Sequence, residues 1–129
     1  RVFPRFFNSI KRKRPITIFK KGKQTRTFCY VTDAITAMFF VIFKGKNFVY
    51  NIGNDSPEIS MTKLYSTIKK NVPKKVRSIK IDYPKNYPQV EPLRRCPDIS
   101  KIKKELNFKI RVSIDESIKR FYNWSKLHY

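Results

Sequence analysis

The sequence predicts a mixed α/β domain, and three observations carry that prediction. Short β-branched stretches alternate with helix-period stretches along the 129 residues. Hydrophobic residues make up 40% of the chain and aromatic residues 15%, which is enough to build one core. No internal repeat divides the alternation into copies, so one domain accounts for it.

Residues 2–10 place Phe3, Phe6, Phe7 and Ile10 at helical spacing, with Pro4 tolerable in the first turn. That helix ends in Lys11-Arg12-Lys13-Arg14, because Pro15 disfavours a helical residue before it. It opens inside an apolar face with no cap ahead, so the natural beginning is expected upstream. Ile16-Thr17-Ile18-Phe19 alternates as a short strand. A basic turn follows, Lys20-Lys21-Gly22-Lys23, in which Gly22 can take positive φ. Gln24-Thr25-Arg26 leads into a second strand, predicted over 27–31. The two strands would carry an arginine and an aromatic ring to a common edge, a grip for a phosphorylated ligand.

Thr32-Asp33 reads as an N-cap before a helix over 33–44. That helix is apolar nearly all round, which implies burial on more than one side. In so small a chain its outer face points to a partner, either an absent N-terminal lobe or another subunit. Gly45 stops it, and residues 48–53 read as a strand. Ser60 caps a helix running to about Asn71, with Leu64, Tyr65 and Ile68 inward. Residues 76–83 alternate as a strand through Ile79 and Ile81, and 83–97 form a proline-rich extended loop. Asp98 caps a short helix, and Ser113-Ile114-Asp115-Glu116 forms a capping box before the last one.

The formal net charge of +21 would ordinarily point to nucleic acid or an anionic membrane. Yet the 30 Lys and Arg are spread along the chain, with one dense cluster at 11–14. Zinc-finger and RNA-recognition patterns are absent. Solvated lysines are the plainer account, and a freestanding basic nucleic-acid-binding module is the alternative; no specific nucleic-acid partner is expected. Cys29 and Cys96 lack metal-ligand spacing and read as thiols in a reducing compartment, so no metal site is assigned. His128, near the C-terminus, is a poor general base. The apolar run 37–43 is too short to span a bilayer and no signal peptide is visible, so no membrane role and a cytoplasmic location are expected.

The stretch PITIFKKGKQTRTFCYVTDA at 15–34 carries a resemblance. So do RVFPRFF at the start, YNIGN at 50–54, PEISM at 57–61, YP..EP.RRCPDISK at 87–101 and the closing VSIDESIKRFYNW. In that order the motifs resemble the C-terminal, substrate-binding lobe of the extended short-chain dehydrogenase/reductase family. Its members include NAD-dependent sugar-nucleotide epimerases, dehydratases and decarboxylases. The UDP-glucuronate decarboxylase group is nearest in flavour, which would turn UDP-glucuronate into UDP-xylose through a 4-keto intermediate. The dTDP-glucose 4,6-dehydratase and UDP-sugar 4-epimerase groups are alternatives.

The resemblance implies that residues 1–129 are the sugar-nucleotide-binding portion of a truncated chain that lacks most of the Rossmann domain. NAD would then be bound by that missing N-terminal domain, the fragment alone would be inactive, and the full-length protein would be a homodimer. The ligand would be a nucleotide sugar. Arg26 would hold the diphosphate with Arg95 as its partner, beside Arg94; Arg1 and Val2 would line the substrate; Phe19 would stack on the base. Family members commonly carry an aromatic followed by glycine where this chain has Phe19-Lys20, and a small amide where it has Arg5. Plain alternatives exist: a surface ion pair for Arg26, core packing for Phe19, a solvated loop for Arg94 and Arg95.

No catalytic or cofactor-binding residue is assigned, because the glycine fingerprint is absent. Two Tyr-x-x-x-Lys spacings occur, at Tyr65/Lys69 and Tyr122/Lys126, but about one is expected by chance from composition. Neither follows a serine-bearing strand, and both are rejected as catalytic. Asp33 and Asp98 read as helix caps, not acids.

Overall fold

The computed structural model describes residues 1–46, 49–85 and 92–128. Helix α1 (Val2–Lys11) turns Phe6, Phe7 and Ile10 inward, as their spacing requires. Strand β1 (Ile16–Phe19) follows, and its alternation places Ile16 and Ile18 in the same core. Strand β2 (Thr25–Arg26) is only two residues long. Helix α2 (Val31–Lys44), strand β3 (Ile59–Ser60) and helix α3 (Met61–Asn71) come next. Strands β4 (Ser78–Ile81) and β5 (Arg94–Arg95) precede helices α4 (Ser100–Leu106) and α5 (Ile114–His128).

Two small sheets result among the described residues. Strand β1 pairs in parallel with β4, in the register Ile16↔Ser78 to Phe19↔Ile81. Strand β2 is sandwiched, antiparallel to β3 and parallel to β5, so that Arg26 lies opposite both Ile59 and Arg95. The main core joins α1, β1, α3 and α5 through Phe6, Phe7, Ile18, Leu64, Ile68 and Ile118. A second cluster joins Ala37 of α2 to Ile99, Ile102, Leu106 and Phe108.

Several expectations hold closely. Ser60 accepts from Lys63 N at 3.1 Å, capping α3. Ser113 Oγ accepts from Glu116 N at 3.2 Å, but the box is half-formed, since Glu116 pairs instead with Arg120 at 2.7 Å. Asp98 accepts from Ser100 N at 2.9 Å and caps α4 from one position further out than expected.

Three expectations fail, each for want or presence of a backbone partner. The second strand was expected over 27–31 and forms at Thr25–Arg26, where β3 and β5 both offer ladder partners. Beyond it the chain leaves the ladder: Phe28 O accepts from the Asn54 side chain at 3.0 Å, and α2 already starts at Val31. Asp33 is therefore not an N-cap but lies inside the first turn of α2. There it is buried and accepts from Arg111 N at 3.2 Å and Val112 N at 2.9 Å, tying the α4–α5 connection to α2.

The strand expected at 48–53 includes Phe48, which lies outside the described residues, and 49–53 form no strand. They dock on α4 by other means: Lys101 Nζ donates to Val49 O at 2.8 Å and Tyr50 OH to Glu105 at 2.6 Å. Part of the proline-rich loop, 86–91, also lies outside the described residues. Helix α2 keeps Ala37 fully buried yet leaves Phe43 76% and Ile42 69% exposed, so its apolar outer face has no cover among the described residues. No helix among the described residues is long and apolar enough to cross a membrane.

Candidate functional site

The turn after β1 sets the geometry of the site. Gly22 has φ +64°, and a Cβ there would stand 2.5 Å from Thr62 Oγ1 and 2.7 Å from Ile18 Cγ2. Only glycine satisfies both constraints, so the turn can press against α3. Lys20, also at positive φ (48°), donates its N–H to Ile81 O at 2.7 Å. The chain thus reverses at Phe19 and returns along β2 with Arg26 two strand-residues from buried Gln24.

Strand alternation then sorts the two arginines of β5. Arg95, opposite Arg26 in the ladder, lines a cleft of about 480 Å³ together with Arg26, Arg1, Val2 and Phe19. Arg94 points elsewhere. Its Nε donates to Glu58 at 3.1 and 2.9 Å, across a side of the sheet where Thr25 Oγ1 also donates to Glu58. The Thr25 hydroxyl first, and the Arg94 guanidinium next, hold the Glu58 carboxyl below its ordinary value. Five of the six residues singled out in the sequence therefore share one cleft, and Arg94 braces the sheet behind it.

Arg26 is doubly used. Its Nη1 donates to Thr25 O at 2.7 Å and to Leu93 O at 3.4 Å, and its Nη2 to Pro92 O at 2.9 Å. It clamps the segment leading into β5 while facing the cleft. A second concavity of about 520 Å³ continues from the same two arginines toward Gly53 and Asn54, with Cys29 and Cys96 in its wall. Burial, with the Asp33 carboxylate second, pushes the Cys29 thiol up, away from the thiolate form a nucleophile needs.

Phe19 is half-buried at the cleft's edge. The Arg5 guanidinium lies 4.5 Å from its ring centroid, and the Tyr83 ring lies 5.1 Å away at 45°. Gln24 donates to the Tyr83 hydroxyl and fixes that ring. Arg5, Gln24 and Tyr83 are thus part of the site, and sequence reasoning gave them no role in it. Arg5 stood out only as a departure from an amide, and the signal missed was its placement one helical turn from Arg1 and Val2.

The rejected tyrosines serve the core. Tyr65 OH donates to Val76 O at 3.2 Å, and Tyr122 is buried with Lys126 Nζ 4.5 Å from its ring. No group of three metal-ligating side chains exists among the described residues. The arrangement can bind: it offers cations, a ring and neutral hydrogen-bonders around one cleft, as a diphosphate-bearing ligand requires.

Comparison with known proteins gives the same neighbourhood. Residues 1–53 match the model of the NAD dependent epimerase/dehydratase family. UDP-glucuronic acid decarboxylase 1 of Arabidopsis thaliana is 32% identical over 120 residues, covering 93% of this chain and 26% of that protein. UDP-glucuronate 4-epimerase of Thermodesulfobacterium geofontis is 31% identical over 122 residues, covering 95% of this chain and 36% of that one. The crystal structure of UDP-glucuronic acid 4-epimerase from Bacillus cereus, in complex with UDP-glucuronic acid and NAD, superposes with a TM-score of 0.85. It is 27% identical and covers 100% of this chain and 40% of that chain. dTDP-glucose 4,6-dehydratase from Bacillus anthracis shares the fold at a TM-score of 0.79 and 17% identity, over 99% of this chain and 39% of that chain. The chain therefore spans between 26% and 40% of the length of these relatives.

Proposed function

Starting from a chain that belongs to the NAD-dependent epimerase/dehydratase family, we propose that it forms the substrate-holding part of an enzyme that modifies a sugar nucleotide. The observation that supports this reading is the Arg26–Arg95 pair, set side by side by the β2–β5 register and facing one cleft with Arg1, Val2 and Phe19. In this reading the two guanidiniums hold the diphosphate, whose paired oxygens suit their forked donors. Phe19, backed by Arg5, meets the base, and Arg1 with Val2 lines the sugar end. Arg94 holds β3 and β5 in register through Glu58 and does not touch the ligand.

The reaction favoured is decarboxylation of UDP-glucuronate to UDP-xylose through a 4-keto intermediate. The decarboxylase relative matches this chain at 32% identity, and the 4-epimerase relative at 31%, so epimerisation is the second reading. NAD would supply hydride acceptance and return in either case. This chain's three glycines form no dinucleotide fingerprint, so its residues do not fit that cofactor and no step is assigned to them. The catalytic base and the NAD site belong, on this proposal, to sequence beyond these residues.

The test is to incubate the full-length protein with NAD and a panel of UDP-, dTDP- and GDP-sugars, following products by mass. Loss of carbon dioxide from UDP-glucuronate is the expected outcome. A mass unchanged while the sugar's configuration inverts would move the assignment to an epimerase. Turnover of none of the sugars would defeat the proposal.

A further inference from the structure

Beside Gln24 lies another concavity, open to solvent and of about 550 Å³, whose lining residues other than Gln24 are exposed. Lys20, Lys21 and Lys23 reach its wall from the β1–β2 turn, and Lys80 reaches it from β4. Asp82 is the one carboxylate among its described lining residues. None of the ion pairs among the described residues involves these four lysines. A concave wall with such an excess of one sign concentrates its field in the cleft, as scattered surface lysines would not.

The lysines are also carried on a braced frame. Gly22 N donates back to Phe19 O at 3.0 Å, while Thr62 N donates to Gly22 O and Thr62 Oγ1 to Lys21 O, both at 3.3 Å. On the other wall, the β1–β4 ladder fixes Lys80 opposite Ile18. An ammonium is a compact charge with three donors, suited to single phosphate oxygens and not to the forked contacts an arginine makes. Several of them facing one small cleft match charges spaced along a short chain.

We propose that this cleft binds a ligand carrying two or more linked phosphate groups, at a site separate from the Arg26–Arg95 cleft. Gln24, buried and lining both concavities, is the partition between them. Asp82 repels an anion from its own end, so the phosphates lie toward the turn.

The probe is inorganic tripolyphosphate, titrated calorimetrically into the full-length protein at low and physiological salt. Lys21→Gln, Lys23→Gln and Lys80→Gln combined should weaken binding by about tenfold or more. A control combining Lys104→Gln, Lys109→Gln and Lys119→Gln removes equal charge from exposed positions elsewhere and should change affinity by less than about twofold. Because the Arg26–Arg95 cleft would also take linked phosphates, the titrations are repeated with saturating UDP, and the tripolyphosphate binding that the Lys21, Lys23 and Lys80 variant loses should persist there. Equal losses in the two triple variants would overturn the proposal, since charge alone would then explain binding. So would complete displacement of tripolyphosphate by saturating UDP, which would put the phosphates in the other cleft. ATP titrated in parallel separates a nucleotide from a free polyphosphate, and either one bound by the intact cleft and lost from the triple variant supports the site.

Discussion

Replacing Arg26 with alanine takes two things from the protein at once. The guanidinium lines the cleft it shares with Arg95, and it also ties Pro92 O (2.9 Å) and Leu93 O (3.4 Å) to β2. Hydrogen bonds from a charged group are worth about 1.5–3 kcal/mol each, so losing one to a diphosphate should raise the Kd for UDP roughly 10- to 150-fold. The second loss acts through the neighbour, because residues 92–93 run directly into β5 and set where Arg95 points. The two arginines should therefore be coupled. Measured on the full-length protein by calorimetry, Arg26→Ala, Arg95→Ala and the double variant should close a cycle with an interaction energy of about 0.5–3 kcal/mol. An Arg26→Ala protein that binds UDP within about twofold of the parent would remove Arg26 from the site. Strictly additive losses would leave both residues in the cleft and refute the claim that one aims the other.

Gly22→Ala should lower stability by roughly 1–3 kcal/mol, since φ is +64° and the new methyl would press on Thr62 and Ile18; a Tm within about 1 °C of the parent would contradict it. Glu58 makes a pH prediction. Its folded-state carboxyl is held below the ordinary value, so its contribution is full above the unfolded value and vanishes as pH falls through the depressed one. The deficit of Glu58→Gln against the parent, read by denaturant titration, should be present at neutral pH and shrink in acid; a deficit of constant size would refute the pairing. For nucleic acid, duplex and single-stranded oligonucleotides should bind at low salt and release near physiological salt, and retained sequence-selective binding there would revive the basic-module reading.

Local chemistry was legible in the sequence wherever a single residue decides the outcome. Ser60 and Ser113 cap and Gly22 turns the chain, because each of these acts within a few residues of itself. The failures were relational. Residues 27–31 and 49–53 have strand composition, but a strand needs a backbone beside it, and that partner is not written in the segment. Asp33 shows the same limit from the other side. Its place before an apolar run suggests a cap, yet it serves amides 78 and 79 residues away in sequence. No local pattern carries that distance.

The site divides along the same line. Strand placement and the family resemblance made arginines and an aromatic ring candidates, but only register separates Arg95 from Arg94, since adjacent strand residues face opposite ways. Once Arg94 is committed to Glu58, the sheet gains a strut and the cleft keeps one cation from β5, opposed by one from β2. Arg5, which replaces an amide in the resemblance, stacks on the ring that the next strand supplies. A large cation there closes part of the space an amide would leave open and brings another positive charge to the Phe19 end of the cleft. The chain's basic excess thus has structure where it meets the cleft: Arg26 and Arg95 on one side of Gln24, the lysines of the turn on the other. Gln24, buried and neutral, lines both surfaces and donates its side-chain amide to the Tyr83 hydroxyl, so it adds no charge to either.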